Sequence, residues 1–384
     1  MTSRVLVGTL AVVAGVGALG TAEKPSPPTI ERDADGNVII AATGDVEVRY
    51  WVSAAGEPAV SRAYPGPFAL PRGGVVTAVA IPPDGKDAPV GVEGLFTTAD
   101  FGPIEGQEPA GEPTAPDPAQ WSAGWEQLGA EVPPLSGDAS AELPLSDQAN
   151  AGNWMPYEPL WDEFDGDKLD ESKWLPTNPG WKGRQPAAFL PSNVEVKGGK
   201  LDLTMRAEEP PEELRADGYH TFTSAAVQSK TTVRYGYFEV KAKPMRSHGS
   251  SSFWFYHATE KWWTEIDVFE IGAGAPGFER NVHITLHVMR TPTIKDHFAV
   301  GAAIWKSPND LADEYRVYGL EWDENELRFY VNGVLVRRGP NTQWHQPLTL
   351  NFDSETMPEW FGLPKPEELP STFSVEYVRA WKRR

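Results

Sequence analysis

The sequence predicts an all-β protein whose large C-terminal domain is a sandwich of two antiparallel sheets. Short runs of strand-forming residues recur from residue 193 to the end of the chain, and no convincing amphipathic helix separates them. Asn332-Gly333, between two of these runs, is a strong signal for a type I′ hairpin. The predicted strands are 193–204, 225–230, 236–243, 251–256, 264–271, 282–288, 315–322, 327–331, 334–338, 348–352 and 373–381.

The first 22 residues are predicted to be a secretory signal peptide. Arg4 precedes an apolar stretch over residues 5–19, and the small residues Gly20-Thr21-Ala22 follow it. A membrane anchor is the alternative, but the apolar stretch is short and rich in Gly and Ala. The chain has no cysteine, which excludes disulfides, thiol nucleophiles and a lipid-modified N-terminal cysteine. We therefore expect a secreted protein, extracellular or periplasmic, with no membrane partner.

A small β-sandwich is predicted next, over residues 26–98. Its β-type runs at 38–42, 46–52, 68–70 and 75–81 are separated by turns that contain Gly, Pro and Asp. Short strands with such turns are typical of a small β domain.

The net charge of −20 is concentrated in one segment of the chain. No Lys, Arg or His occurs between Lys86 and Lys168, whereas 17 acidic residues lie from Asp87 to Asp167. Pro is also dense there, so residues 99–152 are predicted to be a solvated, extended linker before a domain at 153–384. Nucleic acid is excluded as a partner, because no basic run with interleaved aromatic residues occurs.

One predicted strand has an unusual spacing of acids, in the segment Glu265-Ile266-Asp267-Val268-Phe269-Glu270. Side chains alternate between the two faces of a strand, so Glu265 and Asp267 share a face from which Glu270 should point away. A β-bulge at Val268-Phe269 would return Glu270 to that face. The alternative is a solvated acidic edge strand, but the aromatic runs that precede this segment favour the wall of a cleft.

This segment resembles the active-site strand of glycoside hydrolase family 16, in the branch whose motif has one extra residue. The similarity covers about residues 155–384. The resemblance implies a β-jelly-roll endo-glycosidase that cuts β-linked polysaccharides with retention of configuration. It implies Glu265 as nucleophile, Glu270 as acid/base and Asp267 as the residue between them. The other motifs that carry it are Trp161-Asp162-Glu163-Phe164-Asp165-Gly166, Tyr235-Gly236-Tyr237-Phe238-Glu239-Val240, Phe329-Tyr330-Val331-Asn332-Gly333 and Val375-Glu376-Tyr377-Val378-Arg379-Ala380-Trp381.

The chemistry of retaining hydrolysis requires such a group of acids. One carboxyl group attacks the anomeric carbon and another, roughly 5–5.5 Å away, protonates the leaving oxygen. Two close carboxylates do not both ionise easily, so we expect a raised pKa for the acid/base Glu270 and a charged nucleophile Glu265. Asp267 is expected to hydrogen-bond the nucleophile and to tune this coupled titration.

Substrate-binding residues are predicted on the same face. Counting in twos along the acidic strand places Trp263 there, and Trp254 lies in the aromatic run of the preceding strand. In the following strand, apolar residues alternate with His283 and His287, which are expected to face the carboxylates, and Arg290 ends that strand. The two histidines could bind substrate hydroxyls or sulfate, ligate a metal or be structural. Substrate binding is favoured and no metal site is predicted, because the nearby acids have catalytic roles.

Two further resemblances concern the substrate. Trp181-Lys182-Gly183-Arg184, followed by Pro186 and Phe189, resembles a segment of agarases and porphyranases in which the matching Trp and Arg line the cleft. The segment Asn341-Thr342-Gln343-Trp344-His345 resembles κ-carrageenases, which makes Trp344 and His345 candidates as well. Both resemblances imply a red-algal galactan as substrate. A laminarinase or lichenase is the runner-up, and an Arg beside a Trp suits a sulfated sugar.

Several alternatives and partners remain open. A transglycosylase shares the covalent intermediate, whereas a non-catalytic glycan-binding protein would not need two apposed carboxylates. No cofactor is expected to be required, although the family resemblance allows a structural calcium ion near Glu163 and Glu376, where family members often have Asp instead of Glu376. We expect a monomer whose partner is the polysaccharide substrate.

The domain at 26–98 also carries a weaker resemblance. The segment Tyr64-Pro65-Gly66-Pro67-Phe68-Ala69-Leu70, with the strand after it, resembles the immunoglobulin-like accessory domains of many secreted glycosidases. A spacer role is favoured over carbohydrate binding through Tyr50 or Trp51. Because every active-site motif lies beyond the linker, residues 153–384 are expected to fold and cleave alone.

Overall fold

The structure is a computed structural model, and it divides the chain into two compact units, Met1–Pro109 and Ala110–Arg384. The predicted signal peptide, residues 1–22, lies outside the described residues. The structure describes residues 26–32, 37–44, 46–53, 62–64, 66–70, 74–81, 96–101, 123–128, 131–135, 137, 139–259, 261–290 and 297–383. Within these residues, no helix is long and apolar enough to cross a membrane.

The first unit contains two small antiparallel sheets, with strand orders β1-β2-β5 and β4-β3-β6-β7. Their strands are β1 Thr29–Arg32, β2 Asn37–Ala41, β3 Glu47–Ser53, β4 Arg62–Ala63, β5 Phe68–Ala69, β6 Gly74–Ile81 and β7 Phe96–Phe101. Val38, Ile40 and Tyr50 are buried in a common core. The buried ring of Tyr50 contradicts the less favoured alternative of sugar binding through this residue, and the side chain of Trp51 lies outside the described residues. Strand β7 extends past the predicted boundary at residue 98.

The second unit is built almost entirely of strands. They are β8 Glu126–Gln127, β9 Trp154–Pro156, β10 Trp174–Leu175, β11 Ala187–Phe189, β12 Val194–Val196, β13 Leu201–Met205, β14 Phe222–Val233, β15 Gly236–Lys243, β16 Ser250–Ala258, β17 Trp262–Ile271, β18 Asn281–Arg290, β19 His297–Lys306, β20 Arg316–Trp322, β21 Glu326–Val331, β22 Val334–Pro340, β23 Leu348–Glu355 and β24 Ser371–Arg383. Among the described residues of this unit, the helices are one turn long: α1 Glu212–Arg215 and the 3₁₀ segments Glu158–Leu160, Pro191–Asn193, Leu311–Asp313 and Pro366–Glu368.

These strands form two sheets. The first has the order β10-β14-β23-β16-β17-β18-β19, with β11 paired to β14, and we call it the site sheet. The second sheet has the order β12-β13-β24-β15-β20-β21-β22-β8, with β9 paired to β24. The strands predicted beyond residue 193 are present, except that the run 193–204 is a hairpin of β12 and β13, with positive φ at Gly198 and Gly199 in its turn. Asn332 and Gly333 both have positive φ, as a type I′ hairpin requires.

The inner faces of the two sheets share one apolar core. Aromatic rings meet across it: Phe238 of the second sheet lies 5.1 Å from Phe255 of the site sheet, and Phe269 lies 4.5 Å from Tyr318. These side chains are at most 1% exposed. Burying rings of this size supplies a large part of the hydrophobic stabilisation of a sandwich. The outer face of the site sheet is left free to carry polar side chains.

The prediction that residues 99–152 are a solvated linker is wrong for their second half. Strand β8 extends the second sheet by pairing with β22, and Trp125 packs on Phe329 with ring centroids 6.4 Å apart. Further along, Leu145 donates its backbone N–H to Glu239, and Trp381 donates its indole N–H to the carbonyl oxygen of Glu142. We call the described residues between 123 and 152 the strap. The acidic and Pro-rich composition of this segment predicted a linker, because it contains only a few apolar residues that pack on the domain.

Candidate active site

The acidic segment of β17 contains the predicted β-bulge. Asp267 pairs with Trp254 of β16, but the next pair joins Phe269 to Phe253, so Val268 is an extra residue. On the other side, the register with β18 also shifts between Asp267 and Glu270. Val268 and Phe269 are both buried in the core. The bulge therefore returns Glu270 to the outer face, beside the other two acids, because one inserted residue reverses the alternation.

The three acids of this strand interact closely. Glu265 accepts a hydrogen bond of 2.6 Å from the indole N–H of Trp263, and the nearby carboxyl group of Asp267 acts electrostatically on Glu265. The Nε2 atom of His287 lies 3.1 Å from Oδ2 of Asp267 and 3.9 Å from Oε1 of Glu265. Asp267 is buried, whereas Glu265 and Glu270 are partly exposed and can meet a ligand.

Burial raises the pKa of all three carboxyl groups. It raises the pKa of Glu265 to about 8, with a further increase from Asp267 that His287 and the Trp263 indole partly offset. The pKa of Glu270 is raised well above its usual range by burial and by the negative charges around it, that of Asp267 first. The pKa of Asp267 is also raised well above its usual range by burial. The prediction of a raised pKa is therefore confirmed in direction for Glu270, whereas the predicted charged nucleophile is not: burial and Asp267 raise the pKa of Glu265 as well, although Glu265 keeps the Trp263 contact that favours ionisation.

Strand β18 presents polar side chains to the same face, as predicted. His283 is the register partner of Glu270, and its Nδ1 atom lies 3.1 Å from the backbone oxygen of Glu270. His287 is the register partner of Glu265, and its Nδ1 atom lies 2.7 Å from Nε2 of His297 on β19. Burial lowers the pKa of His283 and His287, which favours the neutral form of both rings.

Aromatic side chains line the half of the site that contains Glu265. Trp263 stacks on Tyr256 with centroids 4.5 Å apart, and Tyr256 stacks on Trp254 at 4.9 Å. Trp254 meets Trp181 edge to face at 6.2 Å. Trp254 itself is only 6% exposed and donates its indole N–H to Asp353. The row therefore offers stacking surface mainly through its partly exposed members, Trp181, Tyr256 and Trp263.

Arg184 reaches the site from the loop between β10 and β11. Its Nε donates to Glu355 over 2.8 Å, its guanidinium lies 5.9 Å from the Trp181 ring, and its side chain remains 52% exposed. Gly183 holds this loop: its φ of +106° and a contact of 2.8 Å between an added Cβ and the Ala187 oxygen leave no room for a side chain.

Two acids of this face were not predicted from the sequence. Asp353 and Glu355 project from β23 beside Asn351, and both are buried. Burial and the nearby Glu355 raise the pKa of Asp353 well above its usual range, whereas Arg184 partly offsets the raised pKa of Glu355. The predicted strand ended at Phe352, although polar residues at every second position from Asn351 onward gave the signal. The site thus contains five carboxyl groups.

Comparison with known proteins agrees with this geometry. The sequence model of a family described as "Beta-porphyranase A-D, GH16 domain" matches residues 154–383. The chain belongs to glycoside hydrolase family 16. The β-porphyranase E of Zobellia galactanivorans is 30% identical over 254 residues, which cover 59% of this chain and 88% of that protein.

Two other similar proteins are a solved porphyranase structure and a glucanase. The crystal structure of a β-porphyranase from the human gut bacterium Bacteroides plebeius superposes with a TM-score of 0.51 at 25% identity, covering 60% of this chain and 91% of that one. Glucan endo-1,3-β-glucosidase A1 of Niallia circulans is 26% identical over 65% of this chain and 42% of that protein. The protein is therefore an endo-acting glycoside hydrolase on a jelly-roll fold.

Not every predicted substrate-binding residue of this family 16 enzyme lies in the site. Trp344 is fully buried in the core, so its prediction is wrong. His345 contacts the hydroxyl of Tyr235 at 2.9 Å, in the turn between β14 and β15, and that turn does not belong to the site. Arg290 pairs with Trp262 at the end of β18, and its side chain lies outside the described residues.

Metal ligation has one geometric candidate in the described part of the enzyme. Glu265, Asp267 and His287 each offer one ligand atom within 4.8 Å of the others. The residues named for calcium are both engaged elsewhere: Glu163 accepts from Arg379 at 2.8 Å, and Glu376 lies 2.5 Å from Lys241. Calcium binding at those residues stays a prediction, and the ion would have to compete with these cations.

Proposed function

We propose that this enzyme hydrolyses β-linkages inside red-algal galactans and retains the anomeric configuration. The observation that carries the proposal is the bulge at Val268, because it brings Glu265 and Glu270 to one face of a partly exposed site. Retaining hydrolysis requires two carboxyl groups on the same cleft wall, one to attack and one to protonate. The match to the porphyranase sequence model supports a galactan as the substrate class.

Electrostatics assign the roles within the trio. Glu265 acts as the nucleophile, because the Trp263 indole donates a hydrogen bond that favours its ionised form, although burial raises its pKa. Glu270 acts as the acid/base, because four surrounding carboxyl groups favour its protonated form. Glu270 protonates the glycosidic oxygen while Glu265 attacks the anomeric carbon. Glu270 then takes a proton from the water that releases the covalent intermediate.

Trp181 and Arg184 form the sugar-recognition pair of this proposal. The Trp181 ring provides a stacking surface, and the guanidinium beside it is half exposed. Arg184 is bonded to Glu355 through Nε, and its Nη groups have no other hydrogen bond among the described residues. These groups are free to bind a sulfate or hydroxyl group of the galactan.

A product profile on four polymers tests the substrate class. Purified enzyme is incubated with porphyran, agarose, κ-carrageenan and laminarin, and the products are separated by chromatography. We expect a series of short oligosaccharides from at least one galactan and none from laminarin. Release from laminarin alone would replace the proposal with a β-1,3-glucanase. Elongated products without net cleavage would indicate a transglycosylase.

The role of Arg184 in binding sulfate has a separate test. Arg184→Ala is expected to lower kcat/KM on the sulfated polymer. The expected loss of transition-state stabilisation is about 2–3 kcal/mol, and neutral agarose should be affected far less. Lys182→Ala is the matched control, because this exposed residue of the same loop pairs with Asp217 outside the site. Added NaCl should weaken action on the sulfated polymer. Equal losses on both polymers for Arg184→Ala would leave it as a hydroxyl-binding or structural residue.

Secretion is part of the proposal. The pattern of Arg4, the apolar residues 5–19 and Gly20-Thr21-Ala22 supports it. Mass spectrometry of the protein released by its cells should find an N-terminus close to residue 23. A protein that stays inside the cell with Met1 attached would contradict this.

A further inference from the structure

The loop that follows β23 is anchored at the end of the site sheet. Met357 forms a β-bridge with Gly362, and the ring of Phe361 lies 5.0 Å from that of Phe278. Phe361 also covers Gly272 so closely that an added Cβ would meet its ring at 2.6 Å. The backbone of this loop is therefore fixed against the ends of β17 and β18.

Trp360 extends from this anchored loop with much of its ring in solvent. It is 39% exposed, and it is the only aromatic among the exposed large apolar side chains of the described residues. Phe361 stacks on it at 4.4 Å, and the His283 ring meets it at 4.6 Å and 64°. A single exposed apolar side chain needs no special explanation by itself. Its position relative to the acids is what gives it meaning.

Trp360 is separated from Glu270 by one side chain. It contacts His283, and His283 is both the register partner of Glu270 and in contact with its backbone oxygen. The stacked residues Tyr256 and Trp263 lie towards the opposite end of β17, at Glu265. The two ends of the catalytic strand thus carry separate aromatic surfaces.

The chemistry of the reaction distinguishes these two ends. The acid/base protonates the oxygen that leaves with the second half of the polysaccharide, so this half extends from the side of Glu270. An indole with an exposed surface stacks on the apolar C–H face of a sugar ring. We propose that Trp360 is a platform for a sugar in the leaving-group half of the substrate. This proposal rests on the proposed glycosidase function.

The test compares two substrates that differ only in the leaving group. One is an oligosaccharide of the polymer that the wild-type enzyme cleaves, and the other is a nitrophenyl glycoside with the same sugars before the cleaved bond. Trp360→Ala should lower kcat/KM on the oligosaccharide by about tenfold or more and change the nitrophenyl rate by less than about twofold. Met155→Ala, with an equal exposed fraction of 39% on β9 of the second sheet, should change neither.

Conservative replacement guards against a folding artefact. Trp360→Tyr keeps an aromatic ring and should recover most of the loss on the oligosaccharide, while melting temperature reports folding of each variant. Equal losses on both substrates, or no loss on the oligosaccharide, would overturn the platform. A wild-type enzyme inactive on every polymer would instead overturn the proposed function, so the two failures are distinguishable.

Discussion

The indole N–H of Trp344 donates a hydrogen bond of 2.8 Å to the backbone carbonyl oxygen of Glu265. Trp344 is fully buried, its backbone N–H is bonded to Asn341, and its carbonyl oxygen accepts from Trp322. The backbone of the proposed nucleophile is thus held from inside the sandwich by a side chain that is itself fixed. Trp344 is a positioning residue and not a sugar platform.

Replacing this indole should affect both stability and turnover. Trp344→Phe removes the indole's hydrogen bond to the carbonyl oxygen of Glu265, which should lower the free energy of unfolding by about 1 kcal/mol. It should also lower kcat roughly ten- to a hundredfold through misplacement of the carboxylate, with little change in KM. Thermal unfolding and steady-state kinetics measure both effects. His345→Ala should leave kcat unchanged, and a Trp344→Phe variant with wild-type kcat would contradict the positioning role.

The three acids of β17 should differ in the cost of neutralising them. Glu265→Gln and Glu270→Gln should each lower kcat/KM on polymer by about three to six orders of magnitude, because each removes a reacting group. Asp267→Asn removes a charge that tunes Glu265 and not a reacting group, so its loss should be about 10–100-fold. Steady-state assays on one polymer give all three values. A loss for Asp267→Asn as large as that for the two Glu variants would show that Asp267 takes part in the chemistry.

Glu355 and Arg184 should move the pH profile in opposite directions. The alkaline limb of kcat/KM reports the pKa of the acid Glu270 in the free enzyme, and Glu355 is one of the carboxylates that raise this pKa. Glu355→Gln removes that negative charge, so the limb should move to lower pH by about 0.5–1. Arg184→Ala removes a positive charge near Glu270, so the alkaline limb should move to higher pH. Shifts of the same sign in both variants would contradict this electrostatic account.

The strap should be needed for full stability. Leu145 of the strap donates to Glu239, a carboxyl group whose pKa burial raises to about 7, and Trp125 covers Phe329 and lies 4.8 Å from the Arg337 guanidinium. A truncated protein that begins at residue 153 should therefore melt about 5–10 °C below one that begins at residue 123. Equal melting temperatures would show that the strap contributes nothing. This replaces the expectation that residues 153–384 suffice.

The local features of the site could be predicted from the sequence, because they depend on the alternation of side chains within single strands. The pattern of residues within a few positions predicts three of these features. They are the bulge at Val268, the side of β18 that faces the acids and the Asn332-Gly333 turn. The family resemblance added roles for Glu265 and Glu270 that alternation alone does not provide.

Other features depend on contacts between distant segments. Trp344 lies in a polar segment next to His345, and its burial follows only from the packing of two sheets. The edge strand β19 contains Gly301, Ala302 and Ala303, whose low strand propensity masked it. The strap is acidic overall, and it packs through isolated residues such as Trp125. The average composition of a segment does not reveal such single apolar contacts.

Azide rescue tests the central claim, the assignment of Glu265 and Glu270, most directly. A small anion can enter the space left by Glu265→Ala and attack the anomeric carbon in place of the carboxylate. With a nitrophenyl glycoside as substrate, this variant plus azide should give a glycosyl azide of inverted configuration, and Glu270→Ala plus azide should give one of retained configuration. Nuclear magnetic resonance of the products distinguishes the two anomers. A retained product from Glu265→Ala would contradict the assignment and would exchange the roles of the two residues.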